Sequence, residues 1–324
     1  MGRERGMSSS KRLYEMLRRL GFPERIARAF GEVPREEFVE EKERAHLDSA
    51  ILSYSDGKVY STSSQPSLMA EYMRDAGVNE GMKILEIGGG TGHNAAVLSK
   101  LVGEKGLVVS IEYEERICER AKDNLKRLGI DNVVFICGDG YHGYPDLAPY
   151  DAILVTVGVD EIPRSWIEQL KDGGKIIAPM NLLSVAFHQP LIIFTKRGKF
   201  LKGIYKAATS FIKASGMLGN LNDRNLEKFS KIECEEDGWL EMNHRSMPIV
   251  EILSASVSRF MGTFRFVDDN GKAVYRNGKW MVCGETPRLE RIILELERER
   301  FPTLIEASFS FDADRREFSV ERLF

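Results

Sequence analysis

Apolar residues in the middle of this chain fall into five short, nearly unbroken runs. KILEI (83–87), LVVSIEY (107–113), NVVFICGDGY (132–141), PYDAILVTVG (149–158) and GGKIIAPM (173–180) each have the length and β-branched content of a buried strand. Between them lie NAAVLSKLVG (94–103), EERICERAKDNLKRLG (114–129) and SWIEQLKDGG (165–174), where apolar positions recur with a helical period and glycine closes the segment. Strands alternating with helices of this length predict a parallel, doubly wound α/β sheet. In such a sheet the ligand sits outside the strand C-termini, beside helix N-termini.

Ahead of the sheet, SKRLYEMLRRLG (10–21) reads as an amphipathic helix ended by Gly21, with Pro23 as the first residue of a second, PERIARAFGEV. VPREEFVEE (33–41) is expected to start a third helix. STSSQP (61–66) reads as a hydroxyl-rich loop running into the helix PSLMAEYM, with Pro66 at its start. After the sheet, GMLGNLNDRNLEKF (216–229) reads as a linker entering a short helix, and MPIVEILSASVSRFM (247–261) has a helical period. TFRFVDDNGKAVYRNGKWMVCG (263–284) alternates around two Asn-Gly steps, which predicts a three-strand meander. TPRLERIILELERERF (286–301) reads as an amphipathic helix, and LIEASFSFD with EFSVERLF as a closing hairpin. The expected organisation is N-terminal helices and loop at 1–80 belonging to a core at 81–218, then a small α+β domain at 219–324.

Composition narrows the class. A formal net charge of −3 over 324 residues offers no basic face for nucleic-acid binding. No apolar run approaches the ~20 residues of a membrane helix. The charged start MGRERGMSSSKR lacks the apolar stretch of a secretory signal, and Met7 is an alternative start to Met1. Cys118, Cys137, Cys234 and Cys283 stand far apart, with no CxxC pair and no histidine at metal spacing. They are expected to be reduced packing residues of a cytoplasmic protein that holds no metal. Charged residues at 29% beside only three glutamines lean toward a heat-adapted source.

The glycine turn narrows the ligand. In EIGGGTGHNAA (86–96), Gly88, Gly90 and Gly92 let backbone approach a ligand closely. A dinucleotide fingerprint needs glycine at position 93, where His93 stands, and the lysine of a GxxxxGK[ST] phosphate loop is missing. That combination favours an adenosine cofactor without a phosphate tail, with S-adenosyl-L-methionine the leading candidate. Glu112, twenty residues after Gly92, ends the second strand and can accept hydrogen bonds from ribose hydroxyls. Asp139-Gly140 ends the third strand and offers a short acid to an adenine amino group.

VPREEF, D-x-x-x-L at 48–52, T-x-S-Q-P at 62–66, LEIGGGTGHNAA, SIE, GDG, YDxIxVT and LKxGGxxxxP follow one another in this order. From about residue 12 to 215 the chain thereby resembles the protein-L-isoaspartate O-methyltransferase family, and its extension resembles that of long, thermophile-type members. The resemblance implies a Rossmann-like class I methyltransferase fold, S-adenosyl-L-methionine as cofactor and S-adenosyl-L-homocysteine as product. It implies methylation of the α-carboxylate of L-isoaspartyl residues in damaged proteins and peptides, which initiates repair through a succinimide. By position the active-site serine falls on Ser64, and the cofactor contacts on Gly88, Gly90, Gly92, Glu112, Asp139 and Gly140, with Thr62 and Glu86 beside them. Ser61, Thr156, Val157 and Gly158 fall on the acceptor side. Tyr60-Ser61 replaces the usual Gly-Gln, Gly89 a threonine, and His93-Asn94 the common Tyr-Gln. The first change lies at the substrate mouth and bears on acceptor preference. A same-fold methyltransferase for another carboxylate and a non-catalytic cofactor-binding module stay open as alternatives, as does oligomerisation through the C-terminal domain.

The implied chemistry asks little of the side chains. An α-carboxyl titrates at roughly 3.3–3.7, so the nucleophile is ionised at neutral pH and none of the five histidines is needed as a base. Ser64 is expected to donate a hydrogen bond that orients one carboxylate oxygen. With no His–Asp partners it is not expected to act as a covalent nucleophile.

Overall fold

The computed structural model describes residues 7–159, 161–181, 189–198 and 200–219, and strands at 240–242, 264–267, 271–276, 279–284, 307–312 and 317–322. Helix α1 (Ser9–Arg19) buries Leu13 and Leu17, four residues apart on one face, and Ser8 caps it by accepting from the Lys11 N–H at 3.3 Å. Helix α2 (Glu24–Glu32) buries Ile26, Ala27 and Phe30, with Pro23 as its N-cap and not its first helical residue. The third helix expected at 33–41 does not form. Pro34 holds Val33 extended, and two short 3₁₀ turns, Arg35–Glu37 and Lys42–Arg44, follow. The hydroxyl run expected as loop is half strand: β1 (Ile51–Ser55) and β2 (Tyr60–Ser63) form an antiparallel hairpin. Helix α3 (Pro66–Ala76) starts with Pro66 and stops at Gly77, whose left-handed φ of 72° suits glycine.

The alternation that follows is the one the hydrophobic pattern predicts. It comprises β3 (Lys83–Ile87), α4 (His93–Val102), β4 (Leu107–Glu112), α5 (Glu115–Arg127), β5 (Val133–Cys137), β6 (Tyr150–Val155), α6 (Arg164–Gln169) and β7 (Leu170–Pro179). Two long strands, β8 (Gln189–Arg197) and β9 (Phe200–Thr209), come next. The C-terminal part contributes β10 (Leu240–Met242), β11 (Phe264–Val267), β12 (Gly271–Arg276), β13 (Lys279–Gly284), β14 (Ala307–Asp312) and β15 (Glu317–Arg322). The meander expected at 263–284 is present as β11–β12–β13, with β10 added to its β13 side. Of the linker and short helix expected at 216–229 only 216–219 is described, and the helices expected at 247–261 and 286–301 lie outside the described residues, as do both Asn-Gly turns apart from Gly271.

The main sheet has nine strands in the order β15-β14-β9-β8-β7-β6-β3-β4-β5. Strands β7, β6, β3, β4 and β5 are parallel, as expected, whereas β8, β9, β14 and β15 are antiparallel, so the sheet is mixed. The closing hairpin β14–β15 does form, and it docks on β9 with Phe309 opposite Gly203. Successive strand residues feed opposite cores. Ile84, Val108 and Ile177 pack with α1–α5, while Leu85, Val109 and Ile176 pack with Trp166 of α6 and with Phe194. The direction of winding reverses between β3 and β6, which places a crevice at their C-terminal ends.

Two internal features depart from the sequence reading. Cys118 on α5 and Cys137 at the end of β5 are joined in a disulfide, in place of the reduced packing thiols expected. Nothing in their spacing announces this, because the pairing needs α5 to lie back along β5. Glu86, near the end of β3, is wholly buried and accepts from the Ser110 hydroxyl and the Asn94 amide, both at 2.6 Å. Burial pushes its carboxyl up to about 7, against these two hydrogen bonds, with the Glu112 charge adding to the rise.

Both features generate predictions. The disulfide closes a loop with a sequence separation of 19 residues, so Cys118→Ser is expected to cost about 3 kcal/mol. Urea unfolding of wild type with and without reductant should reproduce that loss; indifference to reductant would mean the thiols are not joined in solution. For Glu86, the folded protein keeps a proton between pH 4.5 and about 7 that the unfolded chain has released. Stability is therefore lost as pH rises through that window. Glu86→Gln keeps the two partners and removes the ionisation. Its stability relative to wild type should climb by about 3 kcal/mol between pH 4.5 and pH 8, and a pH-independent difference would refute the assignment.

Candidate active site

A cavity of about 820 Å³ opens at the point where the sheet reverses. Its floor is the turn from Gly88 to Thr91, fixed by the Gly88 and Gly89 N–H groups donating to the Ile111 carbonyl at 2.9 and 3.0 Å. Gly88 has a φ of 90°, and a Cβ there would lie 2.7 Å from Val157 Cγ1 and 2.9 Å from the Thr156 hydroxyl. Gly89, which stands where the family usually has threonine, is explained by its surroundings: a Cβ would come within 2.2 Å of the Ser110 hydroxyl and 2.6 Å of Phe135. Gly92 serves as the N-cap of α4 with φ of 92° and is not a lining residue.

Glu112 lines the cavity and holds the turn. Its carboxylate accepts from the Gly90 N–H at 2.8 Å and from the Glu114 N–H at 3.0 Å. Burial raises its carboxyl above the ordinary range, opposed by those backbone donors. Each oxygen retains a lone pair for a further donor, which fits a ribose diol. Gly140 also lines the cavity, held by Trp166 Nε1 donating to its carbonyl at 2.8 Å. Asp139 does not line it. Its two oxygens accept from the N–H groups of Tyr141 and Met217, each at 2.9 Å, so it clamps the 216–219 turn beside the site.

The opposite wall is β2 and the residues after it: Ser61, Thr62, Ser63 and Ser64 all line the cavity. Ser61 faces the glycine turn, since a Cβ on Gly90 would sit 3.1 Å from its hydroxyl. The Asp48 carboxylate accepts from the Ser67 N–H at 2.9 Å and from Gln65 Nε2 at 3.1 Å, securing the far end of the loop. His93 is buried against Phe38 and Phe30, with ring centroids 5.4 and 6.1 Å away. Burial, and then the charge of Arg35, hold its imidazole well below its usual range, so it stays neutral.

The roof is a segment that sequence reasoning missed. Residues 210–215 line the cavity and cross the end of β6. The Gly158 N–H donates to the Ile212 carbonyl and the Ala214 N–H to the Gly158 carbonyl, both at 2.8 Å. Gln189 organises the strap, accepting from the Phe211 N–H at 2.6 Å and donating to the Phe211 carbonyl at 3.2 Å and to Asn181 at 2.9 Å. Gly158 is thus a strap anchor whose polar backbone groups are taken, and the space a Cβ would fill is occupied by Gln189 Nε2 at 2.2 Å. The only trace in the sequence is a glutamine starting an apolar strand.

The predicted residues therefore divide. Ser61, Thr62, Ser64, Gly88, Gly90, Glu112, Gly140, Thr156 and Val157 converge on one cavity. Glu86, Gly92, Asp139 and Gly158 stand behind it, supporting α4, the turns and the strap. The Thr156 hydroxyl is itself engaged, donating to the Gly88 carbonyl at 2.6 Å.

Residues 8–218 match the family model described as protein-L-isoaspartate(D-aspartate) O-methyltransferase. The protein-L-isoaspartate O-methyltransferase of Thermotoga maritima is 45% identical over 290 residues, covering 89% of this chain and 91% of that one. The enzyme of the same name from Pyrococcus horikoshii is 44% identical over 191 residues, covering 58% and 83%. A solved protein-L-isoaspartate O-methyltransferase superposes with a TM-score of 0.77 at 40% identity, covering 97% of this chain and all (100%) of that one. A Plasmodium falciparum structure described as a putative member, in complex with S-adenosyl-L-homocysteine, shares the fold with a TM-score of 0.55 at 21% identity, covering 64% and 99%. A crevice with these residues, matched over most of its length by such relatives, places the chain in the protein-L-isoaspartate O-methyltransferase family.

Proposed function

We propose a division of labour in this cavity for the family's reaction, the S-adenosyl-L-methionine-dependent methylation of L-isoaspartyl α-carboxylates that starts protein repair. The observation that carries it is the convergence of the Gly88–Thr91 turn and Glu112 with the Ser61–Ser64 segment on one crevice. The cofactor fits the turn side. Side chains are absent from the turn where its neighbours leave no room for one, and a buried carboxylate with spare acceptor capacity faces the same space. When bound, S-adenosyl-L-methionine supplies a methyl group on a sulfonium. Glu112 takes the ribose hydroxyls, and Gly88, Gly90 and Gly140 give close backbone contact. Glu86, Gly92 and Asp139 are supports behind these contacts.

On the acceptor side, Ser64 donates to one oxygen of the isoaspartyl carboxylate and leaves the other free to attack. That carboxylate is ionised at neutral pH, so no base is required, consistent with a neutral, buried His93. A transfer that neutralises charge is favoured where water is excluded, and the strap at 210–215 would exclude it once the cofactor is bound. Alignment at near-attack distance supplies on the order of 7–11 kcal/mol. Ser61 and Thr62 line the path of the peptide. Among the described residues strand β2 pairs with β1 on one edge only, so main-chain pairing along its other edge suits a substrate of variable sequence. Thr156 and Val157 border the reacting end.

The remaining assignments follow the same reading. Residues 1–80 and 81–218 form one catalytic unit, and 219–324 an accessory segment, for which stability, oligomerisation and substrate presentation are the open roles. Among the described residues no helix is long and apolar enough to cross a membrane. A cytoplasmic site of action agrees with the Cys118–Cys137 disulfide where the source is heat-adapted.

The test uses one peptide in isoaspartyl and aspartyl forms with methyl-labelled cofactor. Turnover of the isoaspartyl form alone is the expected result; methylation of both, or of neither, would redirect the reading to another acceptor. Ser64→Ala removes one donor to a charged acceptor and should lower kcat/KM about 10- to 100-fold. Affinity for S-adenosyl-L-homocysteine should change less than twofold or so, and an unchanged rate would remove Ser64 from its role.

A further inference from the structure

We propose that Arg35, with Asp48 as its counterpart, is a positioning residue that sets the direction of the Ser64 hydroxyl by fixing the peptide units on both sides of it. The proposal rests on the functional reading above, because it concerns the acceptor half of that site.

The guanidinium of Arg35 has no exposure to solvent. Its Nη2 donates to the carbonyls of Ser63 and Ser64, both at 2.9 Å, and its Nε donates to the Ser63 hydroxyl at 2.9 Å. The Ser63 carbonyl belongs to the peptide plane before Ser64 and the Ser64 carbonyl to the plane after it. Two pinned planes fix φ and ψ at Ser64, and with them the direction of its Cα–Cβ bond. Nη1 donates to the carbonyls of Leu47 at 2.9 Å and Ala45 at 3.4 Å, and the Ser49 carbonyl, also 2.9 Å from Nη2, shares that nitrogen's two hydrogens with Ser63 and Ser64. The guanidinium therefore ties the acceptor loop to the 45–49 segment. That segment carries Asp48, which grips Ser67 and Gln65 on the other side of Ser64.

A purely structural need is poorly served by this arrangement. Every hydrogen-bond acceptor of Arg35 is a neutral oxygen, so the charge is buried without a directly bonded carboxylate, which is costly. Burial pulls its pKa down to about 10, with Asp48 opposing, so the cation persists at neutral pH. What the guanidinium supplies, and an apolar side chain does not, is a planar fork able to hold several carbonyls in fixed directions. A lysine keeps the charge and loses the fork, having three donors on one nitrogen.

The variants Arg35→Lys and Asp48→Ala in the full chain distinguish these roles. Wild-type turnover of an isoaspartyl peptide is read first, since it tests the functional reading alone. Against it, Arg35→Lys should lower kcat about 10- to 100-fold, and Asp48→Ala about 3- to 30-fold. Calorimetric titration with S-adenosyl-L-homocysteine should give wild-type stoichiometry and an affinity within about twofold. A fall in kcat matched by an equal fall in binding stoichiometry would reduce Arg35 to a structural residue, and an unchanged kcat would overturn the proposal. If Arg35→Lys does not fold, the same split in Asp48→Ala decides, and unchanged kinetics there overturn it.

Discussion

Both halves of the site depend on how closely the ends of β3 and β6 approach. The Thr156 N–H extends the sheet by donating to the Ile87 carbonyl at 2.9 Å, and its hydroxyl then reaches past the last rung to the Gly88 carbonyl at 2.6 Å. That contact leaves no room for a side chain at position 88. The chain must therefore leave β3 in a left-handed turn, and only glycine adopts one there without strain. The turn carries Gly90 to within reach of both Glu112 and Ser61. A single close approach thus orients the cofactor floor and brings the acceptor loop against it.

Around that turn, charge is held inside the protein by neutral partners. Glu112 relies on two backbone N–H groups and Arg35 on carbonyls and a hydroxyl. Dipoles fixed in this way do not reorganise when charge changes in the cavity, which is the condition for strong electrostatic assistance. Glu112 borders the glycine turn and Arg35 lies behind the Ser61–Ser64 segment, so the buried acid and the buried cation stand on opposite sides of the cavity.

Much of this was legible because it is local. A strand, a glycine turn and a helix occupy consecutive residues from 83 to 102, so their sequence alone identifies them. The acids at 112 and 139 are legible because strand ends recur at predictable spacing. What escaped is non-local. Arg35 sits in VPREEF, which looks like a helix start, and its function is set by residues 28 and 29 positions away. Asp139 stands at a strand end as its position in the sequence indicates, but its contact with Met217, 78 residues on, leaves no mark there. The disulfide and the strap over Gly158 were hidden for the same reason, since each is defined only once α5 and β9 have docked.

The accessory segment reaches the site by such a non-local route. Strand β14 pairs with Phe200–Ile204, the first half of β9, after more than a hundred intervening residues. The second half of β9 ends at Thr209, whose hydroxyl donates to the Gln189 carbonyl at 2.8 Å, and the strap starts at the next residue. Closing so long a loop is entropically unfavourable but only slowly more so with length, and it gives β9 a neighbour on each edge. A strand held on both edges has its register fixed. The register of β9 in turn sets where Phe211 meets Gln189 and where Ile212 and Ala214 meet Gly158. The C-terminal hairpin therefore bears on the register of the strand that leads into the roof, while among the described residues none beyond Leu218 lines the cavity.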